Sequence, residues 1–243
     1  WGQKSAVGSY PTTGPALDIR VSDGLAFIAA GAAGLTVLDV KSAKQPLWLG
    51  SHQKLGRAIK VSANARHVAI LNDSGIIFLL DISNPIEPTT ISSYRSNEAI
   101  FDIALHGDQL FALGKTDIQV IDFSAITPQL SNEGLDFGQG VNLGGERRIF
   151  IENKLAYVAD WFSGMHIYDL SRPRQPELLS SFHTPGSPKG VVVRDGVAFA
   201  TPDGEQMGRS ALPGQTFALF KEPQEEWFGW APKIELGRAA SDK

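Results

Sequence analysis

Short apolar runs alternate along this chain with clusters of Gly, Asn, Asp and Pro. Four of the runs close on an acid: Leu35-Thr36-Val37-Leu38-Asp39, Ile77-Phe78-Leu79-Leu80-Asp81, Ile118-Gln119-Val120-Ile121-Asp122 and Met165-His166-Ile167-Tyr168-Asp169. Each follows a second apolar run across a few turn residues. The partners are Leu25–Ala29, Val68–Leu71, Leu110–Leu113 and Leu155–Ala159. Paired β-rich runs joined by Gly, Asn and Asp predict hairpins. A third run lies upstream in each unit, as in Ala16–Val21 and Ala99–Ala104. A fourth opens on Pro46, Pro88, Pro128 or Pro176. Proline is tolerated there because the start of a strand, or an edge strand, needs no ladder N–H. Each unit therefore predicts four short strands, a to d in chain order. Only the tail after Lys221 is a candidate for a helical period.

The closing Asp residues recur about 42, 41 and 47 positions apart, inside or near the period of a propeller blade. A fifth unit begins at Gly190–Val193 and Val197–Ala200, then resumes at Thr216–Phe220 after a long loop, Asp203–Gln215. It supplies strands a, b and c and lacks d. The chain start holds a spare d-like run, Ala6–Pro11, which aligns with Leu178–His183. The simplest expectation is an all-β, five-bladed β-propeller of four-stranded antiparallel blades. The N-terminal strand would complete the last blade and leave only short outer edges. The expected domain spans residues 1–221, with blades at about 14–54, 55–97, 98–137, 144–184 and 186–221 plus 1–11. Residues 222–243 form a tail outside the blade count, with Trp227, Phe228 and Trp230 packing on the rim or docking a partner.

Composition narrows the function. The 243 residues contain no Cys, which excludes a disulfide scaffold, a thiolate metal site and a Cys nucleophile. A formal charge of -4 gives no electrostatic footprint for nucleic acid. No apolar run is long enough to span a membrane as a helix, and no leader segment is visible at Trp1–Ser5. No nucleotide-binding loop or nucleophile elbow appears. The histidines His52, His67, His106, His166 and His183 have no metal-binding spacing. No cofactor, metal or catalytic residue is expected on these grounds.

The runs Gly34–Val40, Leu79–Pro85 and Met165–Pro173, with Leu155–Asp160 before the last, resemble the LVIVD repeat. The resemblance covers roughly residues 1–221. It implies a β-propeller from bacterial or archaeal exported or cell-surface proteins, mostly without assigned chemistry. The third unit departs at Gly114-Lys115, and the fifth at Phe220, where the repeat has Asp. The repeated Asp is read as a turn acceptor for backbone N–H groups, as in Asp81–Pro85.

In such a ring the b–c and d–a loops share one face, and that face carries the irregular length: Gly138–Arg147, Asp160–Gly164, His183–Pro188 and Asp203–Gln215. Long loops on a rigid scaffold are where function concentrates. Asp160, Trp161, Phe162 and His183 are the expected contacts for a protein or glycan partner. Aligned by repeat, Asp18, Asp102 and Arg148 share a column with Ala58 and Gly190. Arg57, Arg147 and Lys189 precede it. These charges would surround the central opening and meet a polar ligand. The expected function is a non-catalytic, exported or cell-surface binding module acting through its loop face. One alternative is a subunit of a larger surface or filament assembly, docked through the Trp-rich tail. Another is a glycan-active hydrolase or lyase using Asp18 and Asp102, provided the carboxylates stand about 5–10 Å apart.

Overall fold

The computed structural model describes residues 7–115, 118–123, 129–130, 147–161, 163–173, 175–182, 188–194, 197–202 and 217–218. Every regular element among them is a strand. The chain divides into two compact units, Trp1–Gly134 and Leu135–Lys243.

The first unit holds three antiparallel four-stranded sheets, each built from consecutive strands. They are β1 (Asp18–Ser22), β2 (Leu25–Ala29), β3 (Leu35–Asp39) and β4 (Leu47–His52); β5 (Ala58–Ala63), β6 (His67–Asn72), β7 (Ile76–Asp81) and β8 (Thr89–Arg95); and β9 (Asp102–His106), β10 (Gln109–Leu113), β11 (Ile118–Asp122) and β12 (Gln129–Leu130). The second unit holds β13 (Arg147–Glu152), β14 (Leu155–Asp160), β15 (Gly164–Asp169) and β16 (Glu177–Phe182) in one sheet. Its other sheet has three strands, β17 (Pro188–Arg194), β18 (Val197–Pro202) and β19 (Phe217–Ala218).

The sheets stack because their middle strands are apolar on both faces, as fully buried strands are. Phe27, Ala29, Leu35 and Val37 meet Val61, Val68, Ile70 and Leu80 between the first two sheets. The other face of the second sheet, with Ala69, Leu71, Ile77 and Leu79, meets Ile103, Leu110, Ala112 and Ile121 of the third. In the second unit, Tyr157, Ala159, Met165 and Ile167 meet Val191, Val193, Ala198 and Ala200.

The repeat is reproduced in detail. In each four-stranded sheet the closing Asp of strand c pairs in register with the first residue of strand b: Asp39 with Leu25, Asp81 with His67, Asp122 with Gln109 and Asp169 with Leu155. Asp39, Asp81 and Asp169 each accept the backbone N–H two residues on, at 2.9, 2.6 and 2.7 Å. Hydrogen bonds from the Ser83 and Ser171 side chains, and then from these N–H groups, hold the Asp81 and Asp169 carboxyls below their ordinary pKa. The outer strands β4, β8 and β16 all shift register at the same point, opposite Val37/Leu38, Leu79/Leu80 and Ile167/Tyr168. A bulge shared by three sheets is a built feature of the repeat.

Residues 7–11, expected as a strand of the last blade, form no strand, and the fifth sheet has no fourth strand among the described residues. Their place within the first unit is still informative. A Cβ on Gly50 of β4 would strike the carbonyls of Pro85 and Ile86 in the turn after β7. A Cβ on Gly8 would strike the Ala43 carbonyl and the Lys44 backbone in the turn after β3. The sequence interval is the same in both cases. Gly14 against Ala30 and Gly56 against Asn72 repeat the correspondence. Tyr10 covers Ala26, Ile28, Ala30 and Leu38 on the face of the first sheet that points away from the second. Residues 8–14 therefore lie on the first sheet as β4 and its following loop lie on the second.

Candidate functional site

Strand register alters the expected column of inner-strand charges in part. Residue 59 is skipped where β5 pairs with β6, so Ala58 faces Asn72 and Lys60 faces Leu71. By register, the column shared with Asp18 and Asp102 holds Lys60 where Ala58 was expected, and Arg148 and Gly190 keep their places. A second register shift, at Pro188/Gly190, takes Lys189 out of the column of Arg147. That column holds Ala58 and Pro188 instead of Arg57 and Lys189. The bulges follow from backbone pairing, and residue-by-residue alignment does not register them.

Asp18 serves the scaffold. The Asp18 carboxylate accepts the Val61 N–H at 3.0 Å and ties β1 to the next inner strand. The Ser62 hydroxyl accepts the Leu105 N–H at 2.8 Å and links β5 to β9 in the same way. Asp102 is fully buried. With Asp102 so buried, the two carboxylates are not both open to a substrate in this arrangement.

Arg147 and Asp160 come together. They face each other across the β13–β14 ladder, and Arg147 Nε donates to Asp160 Oδ2 at 2.5 Å. Both side chains are almost wholly buried, at 2% and 4% exposure. Arg147 is thus the partner of Asp160 and does not line an open mouth. The other Asp160 oxygen, Oδ1, accepts from the Ser163 N–H at 2.9 Å and the Ser163 hydroxyl at 2.8 Å. The b–c loop is closed from within by a side chain, as Asx turns are.

From Ser163 the chain of contacts continues. Ser163 Oγ lies 2.7 Å from His166 Nε2, and His166 Nδ1 lies 2.9 Å from Ser181 Oγ. Register explains the alignment. Val158 pairs with His166, and His166 pairs with Ser181. Side chains alternate along strands, so Arg147, Asp160, His166 and Ser181 share the face opposite the one packed on β17 and β18. Donor direction follows as well. A carboxylate only accepts, so the Ser163 proton points to Asp160. His166 Nε2–H then donates to Ser163 Oγ, and Ser181 donates to the bare Nδ1. Burial lowers the His166 pKa; Asp160 opposes that shift and Arg147 adds to it. Burial pushes the Tyr168 phenol upward, so it stays protonated.

Asn72 holds the corresponding loop of the second sheet. Its Oδ1 accepts the N–H groups of Ser74 and Ile76 at 3.0 and 2.9 Å, and its Nδ2 donates to the Leu55 carbonyl at 2.9 Å. The Asn72 amide is thus buried and already in use. The third sheet places Gln119 where the fourth has His166. Gln119 Nε2 donates to Glu98 at 2.6 Å.

Trp161 stands half-buried at the tip of the Asp160–Gly164 loop, beside this network, and Arg148 is half-buried on β13. Phe162, His183, the Asp203–Gln215 loop and the tail rings Trp227, Phe228 and Trp230 lie outside the described residues. Sequence reading passed over Ser163 and Ser181. The detectable signal was cross-strand register: counting back from the Asp169–Leu155 pair puts His166 opposite Val158, above the loop. Among the described residues, no three His, Asp or Glu side chains gather as a metal site. None forms a helix long and apolar enough to cross a membrane.

The LVIVD repeat matches residues 13–49, 57–96 and 144–184, which cover the first, second and fourth sheets. This chain is an LVIVD-repeat protein. The stretches outside the match include the third and fifth sheets, where the sequence departs from the repeat. No curated protein matches the chain in sequence. Several solved structures match in shape. A functionally unknown protein from Desulfotomaculum acetoxidans aligns at TM-score 0.61 and 12% identity, over 80% of this chain and 65% of that one. The β-propeller domain of Cps50 (Swd1) from Myceliophteria thermophila aligns at TM-score 0.55 and 11% identity, over 84% and 70%. A chain of the Mitotic Checkpoint Complex aligns at TM-score 0.53 and 13% identity, over 76% and 58%. The LVIVD-repeat chain spans less than two thirds of the first and third of these proteins. At such identities the likeness carries the fold, a β-propeller architecture of stacked antiparallel sheets, and nothing of activity.

Proposed function

We propose that this LVIVD-repeat chain is a non-catalytic binding module that holds a protein partner on its b–c/d–a loop face. The Asp160–Gly164 loop carries the reading. Asp160 pins the loop through Oδ1 and is itself anchored on Arg147 through Oδ2, so Trp161 is offered at low conformational cost, a property of preorganised contact sites. Aromatic side chains on rigid supports are the usual anchors of protein interfaces. A matched chain within the Mitotic Checkpoint Complex belongs to a crystallised assembly, which favours a protein over a glycan. The repeat family suggests an exported or cell-surface setting.

The fuller architecture belongs to the same proposal. Five sheets close into a ring, and residues 6–11 take the place of the missing outer strand beside β19. The Gly8–Ala43 contact supports this, because it copies the packing of β4 on the second sheet. Amide exchange at residues 216–220 tests the closure. Those amides are expected to be protected in the native chain and to lose protection in Gly8→Val. Unchanged exchange would remove the N-terminal strand from the last blade.

Binding is tested by affinity capture with quantified partner recovery. Trp161→Ala is expected to weaken capture at least tenfold while leaving the thermal transition in place, since a central aromatic contact contributes about 2 kcal/mol or more. If capture survives both Trp161→Ala and deletion of Asp203–Gln215, the loop face is not the contact surface.

A further inference from the structure

The contact chain in the fourth sheet has a polarity that turns on a single proton. Reading from the outer strand inward, Ser181 donates to His166, His166 to Ser163, and Ser163 to Asp160, which also accepts from Arg147. Every link points toward the carboxylate. The imidazole is the only group in the chain that titrates near neutrality.

We infer that His166 is an acid sensor for the Asp160–Gly164 loop, holding it closed while neutral and loosening it when protonated. A second proton occupies Nδ1, where the Ser181 hydroxyl now donates. Ser181 must turn to accept, and one end of the chain reverses. The imidazolium also sits in a partly dry site. The charged groups facing it, among the described residues, are the Asp160 carboxylate from β14 and the Arg147 guanidinium from β13. Ser181 faces it from β16 and Ser163 from the loop. Tyr168, two residues along β15 on the same face, remains neutral. Asp160 is already committed to Arg147 and to both donors of Ser163, so among the described residues the new charge faces only a shared carboxylate. Exposed Ser181 lets water reach the Nδ1 end, while repulsion from Arg147 at the part-buried Nε2 end is eased by opening the loop that Ser163 closes.

The geometry agrees with the direction of the His166 shift, below the ordinary imidazole value of 6.5. The sign is fixed by that direction. Between the folded pKa and 6.5 the unfolded chain binds the proton and the folded chain does not. Stability therefore rises with pH through this window and is lost as pH falls through the folded pKa. The second and third sheets show what a non-titrating version looks like. Phe78 pairs with Ser93 and Ile70 where His166 pairs with Ser181 and Val158. Gln119 holds the same place in the third sheet.

For its consequence, acid release of a partner, the inference rests on the loop-face reading above. Its test uses the protein alone. Side-chain proton–nitrogen spectra are recorded from pH 8 to pH 4, with the Trp161 indole signal assigned by its loss in Trp161→Phe. His166 is expected as the Nε2–H tautomer at neutral pH, with a titration midpoint below 6.5, and the Trp161 indole is expected to move with the same midpoint. His166→Phe and His166→Gln, copying the second and third sheets, are expected to abolish the Trp161 movement. A Trp161 signal that ignores the His166 midpoint, or titrates equally in a folded His166 variant, overturns the sensor. If the sensor titrates as described while partner capture is unaffected by Trp161→Ala, the sensor stands and the binding reading falls.

Discussion

Replacing Arg147 by Met is expected to destabilise the second unit by about 3–5 kcal/mol, the cost of leaving one partner of a buried ion pair behind. The Asp160 carboxylate would keep its bonds to Ser163 and lose the charge that compensates its burial at Oδ2. Asp160 would then take up a proton more readily, and the loss would shrink in acid. Urea unfolding at pH 7 and pH 5 reads both effects. The double variant Arg147→Met/Asp160→Asn is expected to recover most of the loss. Its Asn Oδ1 still accepts from Ser163, as the Asn72 oxygen accepts from Ser74 and Ile76 in the second sheet. A small effect from Arg147→Met alone, below about 1 kcal/mol, would place the pair among surface-like ion pairs and contradict its burial.

Phe27→Ala is expected to cost a similar amount, about 3–5 kcal/mol, for a different reason. Phe27 is wholly buried between the first two sheets, against Val61, Val68 and Ile70. Truncation leaves a cavity that two hydrogen-bonded sheets cannot easily close. Ile19→Ala is the control. Ile19 lies on an inner strand and is about half exposed, so its truncation should stay within about 0.5 kcal/mol. Denaturant midpoints for the two variants give the contrast. A Phe27→Ala midpoint equal to that of Ile19→Ala would mean that the sheets do not pack through this face.

Much of the fold was legible because the blade pattern is local. The run Leu35–Asp39 is observed as β3 and Leu25–Ala29 as β2, with the turn between them where Gly31–Gly34 was expected. Alternation and turn chemistry act over a few residues, and the repeat states them several times. The Asp39, Asp81 and Asp169 turns were readable for the same reason, since each carboxylate bonds only two residues ahead. The charge column was read incorrectly at Ala58 because a bulge depends on the neighbouring strand, which an alignment of repeats does not contain. Asp160 and Trp161 were recognised from an unusual loop. Arg147 was assigned to the opening although it is buried against Asp160.

The sequence by itself determined the strand-level order of this protein: all-β units, four strands to a full sheet, the acid that ends strand c in each full sheet and the loop that departs from the pattern. These are short-range consequences of side-chain alternation, turn preference and period. Only the tertiary structure decided which charges meet. Cross-strand register placed Arg147 on Asp160 and His166 between Ser163 and Ser181. Register is a property of pairs of strands, and one bulged residue moves a side chain to a different neighbour. The pKa of a histidine depends on the water and charge around it. Neither is written in the residue's own position along the chain.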